Sequence, residues 1–333
     1  MFPEPSYPTP VRACPELGTS RAELWLKNDG VSHPLYGGNK VRKAAALLAE
    51  AKQRGARRVL SFGAAGSHHL LTLALFARAA GLESAAVVIA QPRSEHALAT
   101  LRAALGLGLE AHPARHAALV PWAFARALRP LDYVIPPGGS NLLGASACAD
   151  AIDELAEQIA LGLLPTPDWI VVPLGSGGTC AGLAAGVIRR SLPCRVLGVQ
   201  VVSGFAPRAA ARYLAREVLR STGQARLASA LRTQLVFDSS KVGAGYGVAS
   251  GVGERASEIA RSIGLELDQT YTAKAFASVL ELLSGESPFA TPRAERPLRV
   301  LYWHTLAATD LAPLLVDAPR IDALPTSISD LLR

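Results

Sequence analysis

One apolar run that passes directly into a glycine-rich stretch constrains the fold of this chain more than any other feature. Residues 168–174, Asp-Trp-Ile-Val-Val-Pro-Leu, are typical of a short strand that is buried on both faces of a parallel sheet. The stretch Gly-Ser-Gly-Gly-Thr-Cys-Ala-Gly-Leu follows at 175–183 and opens a predicted helix. Glycines at a helix N-terminus expose backbone N–H groups, and the hydroxyls of Ser176 and Thr179 add donors. We therefore predict a buried strand followed by a phosphate-binding loop.

The spacing within this loop argues against two common phosphate-binding motifs. The last glycine is not followed by the lysine of a Walker motif, and the glycines do not have the dinucleotide pattern G-x-G-x-x-G. Neither a nucleoside triphosphate nor NAD is favoured. An alternative interpretation is that the glycines only let the helix pack closely on the strand.

Strands and helices alternate along most of the chain, which predicts an α/β fold with parallel sheets. Further strands are expected at 57–62, 85–90, 109–111, 133–136, 196–202 and 298–303. Helices are expected at 41–52, 94–105, 252–263 and 274–283, together with one that begins at residue 67 and a long one that ends at residue 158. The chain has 333 residues, half of them hydrophobic, which is enough for two lobes.

Lys40 is a candidate catalytic lysine because of its position. It follows two glycines and an asparagine and precedes an Ala- and Leu-rich segment of helical periodicity, so it lies in the first turn of a predicted helix. The helix dipole disfavours a cationic amine there, which suits a lysine that acts as a base or a nucleophile. Only six of the 34 lysine and arginine residues are lysines, so arginine fills most of the cationic positions. A lysine that is retained in such a chain is more often needed for the chemistry of its amine. A solvated surface lysine is the alternative.

Composition excludes several classes of function. The net charge is +7, but the arginines are dispersed and form no polybasic block, so we predict no nucleic-acid partner. Cys14, Cys148, Cys180 and Cys194 lack the spacing of a zinc site or a disulfide framework, so no metal is expected. No charge-free apolar run reaches 18 residues, and the N-terminus does not have the pattern of a signal peptide. We expect a cytoplasmic protein without a membrane partner.

The combination of a glycine-flanked lysine, a downstream glycine loop and a hydroxyl residue after the last strand resembles the fold-type II pyridoxal-phosphate enzymes. Within these, the chain resembles the 1-aminocyclopropane-1-carboxylate deaminase and D-cysteine desulfhydrase family from Pro8 to Thr305. The matching residues are Lys27-Asn28-Asp29, residues 37–43, Ser67 with His69, residues 138–141, 175–182 and 245–247, and Asp268 with residues 271–274.

The resemblance implies a tryptophan synthase β-like fold of two lobes with three-layer parallel sheets. Residues 1–42 and 153–333 would form a large cofactor-binding domain, and residues 43–152 a small domain. The resemblance also implies a homodimer that binds pyridoxal 5'-phosphate and acts on a small amino acid.

The resemblance also implies a role for each matching site residue. Lys40 would bind the cofactor covalently, and the phosphate would lie at Gly175, Ser176, Gly177, Gly178 and Thr179. Further cofactor contacts would come from Asn39, His68, Thr272 and Thr305, with Thr272 or Thr305 near the pyridine nitrogen. Ser67, His68 and His69 would bind the substrate, and Lys40, Ser67, Tyr246 and Tyr271 would take part in catalysis. For His69, a structural role is an equal alternative.

Two loops depart from the family pattern. The family asparagine that contacts the phenolic oxygen of the cofactor is replaced by His68, and the usual His-Thr-Gly-Gly ending of the last strand is His-Thr-Leu-Ala at 304–307. Because Lys40 and the phosphate loop are retained, these departures affect the expected substrate more than the cofactor.

The resemblance predicts a pyridoxal-phosphate lyase or deaminase that removes an α-proton and eliminates a β-substituent. In the deaminase branch a glutamate near the pyridine nitrogen follows the tyrosine, whereas this chain has Thr272, which cannot supply that charge. We therefore expect β-elimination from D-cysteine-like substrates to exceed opening of the cyclopropane ring. The alternatives are a 1-aminocyclopropane-1-carboxylate deaminase and a homologue that binds cofactor or amino acid without turnover.

Overall fold

The computed structural model describes residues 4–290 and 296–332, which form two compact units. The small unit contains Glu4 and residues 40–143 and 309–332. The large unit contains residues 5–39 and 144–308, of which 291–295 are not described. Residues 1–3, 291–295 and 333 of the predicted domains lie outside the described part of the chain.

The secondary structure of the described residues follows the predicted alternation. The strands are β1 (Val11–Ala13), β2 (Ala22–Asn28), β3 (Arg58–Ala64), β4 (Glu83–Ile89), β5 (Leu109–Ala114), β6 (Asp132–Val134), β7 (Trp169–Leu174), β8 (Arg195–Gln200), β9 (Leu235–Asp238) and β10 (Leu298–His304). The helices are α1 (Lys40–Gln53), α2 (His68–Ala79), α3 (Glu95–Gly106), α4 (Val120–Ala127), α5 (Leu142–Ala160), α6 (Gly178–Arg189), α7 (Ala206–Ser221), α8 (Leu231–Gln234), α9 (Gly251–Arg261), α10 (Thr272–Ser284) and α11 (Thr326–Ser329).

Each unit is built on its own sheet. In the small unit, four parallel strands have the order β5-β4-β3-β6. In the large unit, the order is β1-β2-β10-β7-β8-β9, and β1 pairs antiparallel with β2 while the other neighbours are parallel. Parallel neighbours need crossover connections, which the helices between the strands supply. The parallel α/β fold is therefore confirmed.

Strand β7 is the centre of the large-unit core, as its apolar sequence predicts. All six of its residues are buried. Ile170, Val172 and Leu174 pack with residues of α5, α6 and α7, whereas Trp169 and Val171 pack with residues of α9 and α10. Because successive side chains of a strand point to opposite faces, both faces of β7 are covered by helices. This arrangement gives the large unit three layers.

The proline-rich N-terminal segment is anchored in the large unit by a buried polar network. The backbone N–H of Thr9 donates to Glu154, and its carbonyl oxygen accepts from Nζ of Lys27 at 2.7 Å and from Nε2 of Gln158 at 2.9 Å. Lys27 also forms an ion pair with Glu154 and donates to Oε1 of Gln158 at 2.8 Å. A buried ammonium must be paired and hydrogen-bonded to be tolerated, and this network meets that requirement.

The two units differ from the predicted domains at four places of the described chain, and at two of them, Glu4 and residues 40–42, residues predicted in the large domain belong to the small unit. Residues 309–332 belong to the small unit, because they bond to it: the N–H of Gln91 donates to the carbonyl of Leu331, and Nε of Arg102 donates to the carbonyl of Pro319. Residues 144–152 belong to the large unit, because Ala145 and Ala149 of the continuous helix α5 are part of its core.

Membrane insertion through a helix has no support in the described ranges, where every helix is too short or too polar to cross a bilayer.

Candidate active site

The loop at residues 175–179 connects β7 to α6 in the large unit. Gly177 has a φ of +96°, a left-handed conformation that favours glycine, and it is the N-cap of α6. A Cβ atom built on Gly177 would lie 3.0 Å from the backbone nitrogen of Ala211. The 12-residue helix that follows is buried along most of its length. Its first N–H groups and its dipole favour an anion at this loop.

The segment that ends at Asn39 is fixed within the large unit by close backbone contacts. A Cβ atom on Gly37 would lie 1.8 Å from the carbonyl oxygen of Gly30, so only glycine fits. The backbone N–H of Asn39 donates to the carbonyl of Thr305 at 3.3 Å, and its Nδ2 donates to Oγ1 of Thr179 at 2.8 Å. Asn39 is thereby held both by the first turn of α6 and by the residue that follows β10.

Tyr246 and Tyr271 form a hydrogen-bonded pair in the large unit. The hydroxyl of Tyr271 donates to that of Tyr246 at 2.8 Å, and the rings meet edge to face with centroids 5.6 Å apart. A Cβ atom on Gly175 would lie 2.9 Å from Cε1 of Tyr271, so the pair lies against the glycine loop. Burial is the main cause that raises the pKa of both phenols above the usual value. Both tyrosines therefore keep their protons at neutral pH.

Thr272 is the first residue of α10, and its hydroxyl is bonded to Asp268, in the turn that precedes that helix. It donates to Oδ2 of Asp268 at 2.7 Å and accepts the N–H of Asp268 at 2.7 Å. Asp268 also accepts the N–H groups of Thr270 and Tyr271 at 2.9 and 2.7 Å. A hydroxyl has a single hydrogen to donate, so Thr272 cannot also donate to a neutral pyridine nitrogen. This geometry does not support the predicted contact of Thr272, and Thr305 is the better candidate.

Lys40 is the first residue of α1 and lines a small cavity of the small unit together with Lys43 and His69. Nζ of Lys43 donates to the carbonyl of Gly138 at 3.1 Å, and Nε2 of His69 lies 2.9 Å from Oγ of Ser61. Burial and then the charges of Lys40 and Lys43 lower the pKa of His69 to about 3. His69 is therefore neutral at physiological pH and can contact a carboxylate only as a neutral group.

Ser67 and His68 stand at the start of α2, after β3. Ser67 is the N-cap residue, and its side chain makes no capping bond to the described residues of the helix. Nε2 of His68 lies 2.9 Å from Nε2 of His96, with ring centroids 4.8 Å apart. One of these nitrogens must carry the hydrogen that the other accepts. The side chain that replaces the family asparagine is thus oriented by His96.

His304 ends β10, directly before Thr305. It is buried, and no hydrogen-bond partner of its Nδ1 is found in the described part of the chain. Burial lowers the pKa of His304 to about 4, against a smaller opposite effect of Asp268 and Asp29. His304 is therefore buried and neutral at physiological pH.

The predicted site residues are brought together within each unit. The large unit joins the glycine loop, Asn39, Thr305 and the tyrosine pair, and the small unit holds Lys40, His69, Ser67 and His68. Sequence reasoning gives no role to Asp268, Lys274 or His96. Asp268 and Lys274 lie in the segments that resemble the family, which is the signal that could have found them, whereas nothing local marks His96.

These residues fit pyridoxal phosphate, the cofactor that the sequence resemblance implies. The left-handed Gly177 and the N-terminus of α6 form an anion site of the kind that binds a phosphate group. Lys40 supplies an amine in the first turn of α1. Within the large unit, Gly37 and Gly175 have no room for a side chain.

Comparisons with known proteins agree with this fit. A family model described as pyridoxal-phosphate dependent enzyme matches residues 4–288. Nocardicin C-9' epimerase of Nocardia uniformis subsp. tsuyamanensis is 34% identical over 316 residues, which cover 90% of this chain and 91% of that protein. D-cysteine desulfhydrase of Salmonella choleraesuis (strain SC-B67) is 31% identical over 293 residues, covering 83% and 86%. A crystal structure of an ACC deaminase homologue has a TM-score of 0.73 at 27% identity, covering 94% and 97%.

Proposed function

The chain belongs to the family of pyridoxal-phosphate dependent enzymes, and we propose that it is a lyase that acts on a small β-substituted amino acid. The proposed reaction removes the α-proton and expels the β-substituent. With D-cysteine, the chain would convert D-cysteine and water to pyruvate, hydrogen sulfide and ammonia. The likeness to D-cysteine desulfhydrase and to an ACC deaminase homologue supports a reaction of this general type.

The geometry within each unit supports the proposed cofactor contacts. Lys40 is the amine that holds the cofactor, and the loop 175–179 binds its phosphate. Asn39, His68 and Thr305 are the further contacts. Lys40 follows Asn39 directly in the chain, and Asn39 donates to Thr179 of the phosphate loop. When bound, pyridoxal phosphate withdraws electrons from the α-carbon of an amino acid, so that the α-proton can be removed.

The tyrosine pair is the observation that most supports the departure of a β-substituent. A departing thiol needs a proton, and a general acid must be protonated at the working pH. The hydroxyl oxygens of Tyr271 and Tyr246 lie 2.8 Å apart, and the ring of Tyr271 lies beside Gly175. Burial raises the pKa of both phenols and so keeps them protonated. The hydrogen bond allows one hydroxyl to be re-protonated by the other after it donates. Lys40 is the proposed base that takes the α-proton.

Ser67 and His69 are the proposed contacts of the substrate carboxylate. Ser67 stands at the N-terminus of α2, where the helix dipole favours an anion, and its side chain makes no capping bond to the described part of that helix. His69 is neutral, so any contribution from it is a hydrogen bond rather than a charge.

A second candidate function is epimerisation at the α-carbon. The likeness to nocardicin C-9' epimerase, which covers 90% of this chain, favours it. Both reactions begin with removal of the α-proton. They differ in whether the proton returns on the opposite face or the β-substituent leaves first.

Product analysis in deuterated water separates these functions. The purified enzyme is incubated with D- and L-cysteine, D-serine, β-chloro-D-alanine and 1-aminocyclopropane-1-carboxylate. Pyruvate together with sulfide or chloride supports the lyase. Deuterium at the α-carbon with inverted configuration and no pyruvate supports an epimerase and overturns the lyase proposal. A higher kcat/KM for the cyclic substrate indicates a deaminase, and a shifted absorption band without any product indicates a binding protein.

A further inference from the structure

Lys274 is a buried lysine to which the proposed reaction assigns no role. It lies in the first turn of α10, three residues after Tyr271, and its side chain is fully buried. Its Nζ donates to the carbonyl of Val242 at 2.8 Å and to the carbonyl of Gly245 at 3.0 Å. Both acceptors belong to the segment 242–247, which we call the tyrosine loop because it carries Tyr246. Lys274 therefore connects the start of α10 to this loop.

The tyrosine loop has little packing that could fix its shape. Its three glycines, at 243, 245 and 247, have φ values of +62°, +129° and +76°. A Cβ atom built on Gly245 would meet no described atom within 4 Å, and the internal bond from the N–H of Gly245 to the carbonyl of Val242 is long, at 3.4 Å. A glycine-rich segment of this kind loses much conformational freedom when it is ordered, so it needs specific bonds to hold it.

We propose that Lys274 is a positioning residue, which holds the tyrosine loop so that the hydroxyl of Tyr246 meets that of Tyr271. Tyr271 and Lys274 belong to the same rigid helix start, and Tyr246 is the next residue after the bonded Gly245. The two bonds from Lys274 therefore fix the position of the backbone of Tyr246 relative to Tyr271. The role in catalysis rests on the proposed function, whereas the positioning itself does not.

The chemistry of a lysine suits this task better than that of an apolar core residue. An ammonium group carries three donors and no acceptor, so it can satisfy two carbonyls at once. Burying it is costly, and burial lowers the pKa of Lys274 while the charge of Asp268 acts in the opposite direction. The cost of burying this charge is explained if the two bonds from Lys274 to carbonyls of the glycine-rich loop hold that loop in place.

The test compares Lys274→Met with Lys241→Met. Methionine keeps the apolar stem of Lys274 and removes both bonds. Lys241 is a matched control, because it lies beside the same loop but bonds to Glu281 at 2.6 Å and to Ser240 at 2.8 Å. Tyrosine ionisation is followed by near-ultraviolet absorption, and Tyr246→Phe identifies the contribution of Tyr246. We expect the titration of Tyr246 to shift in Lys274→Met relative to the parent and to be unchanged in Lys241→Met.

Turnover gives the second measurement. If Lys274 acts through Tyr246, kcat falls on the order of 10²-fold in Lys274→Met, as expected for a slightly misplaced reacting group, and the double variant with Tyr246→Phe is no worse than the more affected single variant. An unchanged titration of Tyr246, or independent losses that multiply in the double variant, would overturn the proposal.

A folding defect is addressed by Lys274→Gln, which keeps an N–H donor on a shorter side chain. If neither variant folds, Lys274 supports the core rather than the loop, and the proposal is wrong. If the tyrosine titration shifts as expected but no amino acid is turned over, the positioning role holds and the proposed function fails.

Discussion

Nδ2 of Asn39 donates to Oγ1 of Thr179 at 2.8 Å, and both residues are buried. This bond joins the residue that precedes Lys40 to the second residue of α6. Within the large unit, Asn39 and the glycine loop are therefore fixed to each other through side chains that lie 140 residues apart in the chain. We expect the position of Asn39 to depend on the Thr179 hydroxyl.

A double-mutant cycle with Asn39→Ala and Thr179→Val measures this coupling. Each single variant leaves a buried polar group without this partner, at a cost of about 1–3 kcal/mol in the free energy of unfolding. The double variant should be more stable than the sum of the two losses predicts, by about 1 kcal/mol. Urea unfolding of the four proteins gives the values. Strict additivity would show that the bond does not form in solution.

Lys40→Ala should abolish the visible absorption of the lysine-bound cofactor and all turnover, because no other amine is proposed to bind it. Lys52→Ala is the matched control, since Lys52 is an exposed lysine near the end of the same helix. The measurements are the absorption spectrum after dialysis and product formation. A parent-like spectrum in Lys40→Ala would remove Lys40 from the proposed site.

Gly177→Ala should weaken cofactor retention as well as stability. Alanine in the left-handed conformation costs roughly 1–2 kcal/mol, and its Cβ would also lie 3.0 Å from the nitrogen of Ala211. Gly204→Ala controls for the conformational cost, because Gly204 has a similar φ of +91° and no described atom within 4 Å of a built Cβ. Cofactor release during dialysis and the melting temperature are compared. Equal retention in the two variants would indicate that the loop only packs the helix.

Features with a local signal could be predicted from the sequence. A strand buried on both faces must be apolar throughout, so β7 is evident from residues 169–174 alone, and the glycines after it mark the loop. The start of α1 at Lys40 is likewise predicted within one residue, because two glycines and an asparagine precede a periodic apolar segment.

Features that depend on tertiary contacts could not be predicted in this way. Strand β9 has only four residues and therefore no clear pattern. Helix α7 is different, because its arginine at every fourth position is an amphipathic signal that our sequence interpretation did not use. The attachment of residues 309–332 to the small unit rests on bonds such as that from Gln91 to Leu331. From the sequence, the hydroxyl of Thr272 could bond either to the pyridine nitrogen of the cofactor or to a neighbouring residue. Only the structure shows that its hydrogen is donated to Asp268.

Acid should destabilise the protein through His69 and His304, which are buried and neutral. The pKa of His69 is lowered to about 3 and that of His304 to about 4, from 6.5. Below pH 6.5 the unfolded chain binds more protons than the folded chain, so the free energy of unfolding falls as pH is lowered. Each histidine contributes up to about 1.4 kcal/mol per pH unit. The contribution of His304 stops near pH 4 and that of His69 near pH 3.

His304→Phe isolates one of these contributions, because it removes the titrating group and keeps a ring of similar shape. We expect the free energy of unfolding to fall less steeply between pH 6.5 and 4 than in the parent. His116→Gln, at an exposed position, is the control. Urea unfolding at a series of pH values provides the measurement, and equal slopes for the parent and His304→Phe would contradict a neutral buried His304.

Thr272→Val separates the bonds of the Thr272 hydroxyl to Asp268 from a cofactor contact. Valine has the same shape without the hydroxyl, so the N–H and the carboxylate of Asp268 each lose a partner, which should cost about 1 kcal/mol and lower the melting temperature by a few degrees. Because the hydroxyl hydrogen of Thr272 is donated to Asp268 rather than to a pyridine nitrogen, we expect the absorption spectrum and the substrate preference to stay as in the parent. Thr272→Ser keeps the hydroxyl and should restore the stability. Thr305→Val should change the spectrum or the cofactor retention instead. If Thr272→Val alters the spectrum as strongly as Thr305→Val does, Thr272 contacts the cofactor after all and the assignment of its hydroxyl hydrogen to Asp268 is wrong.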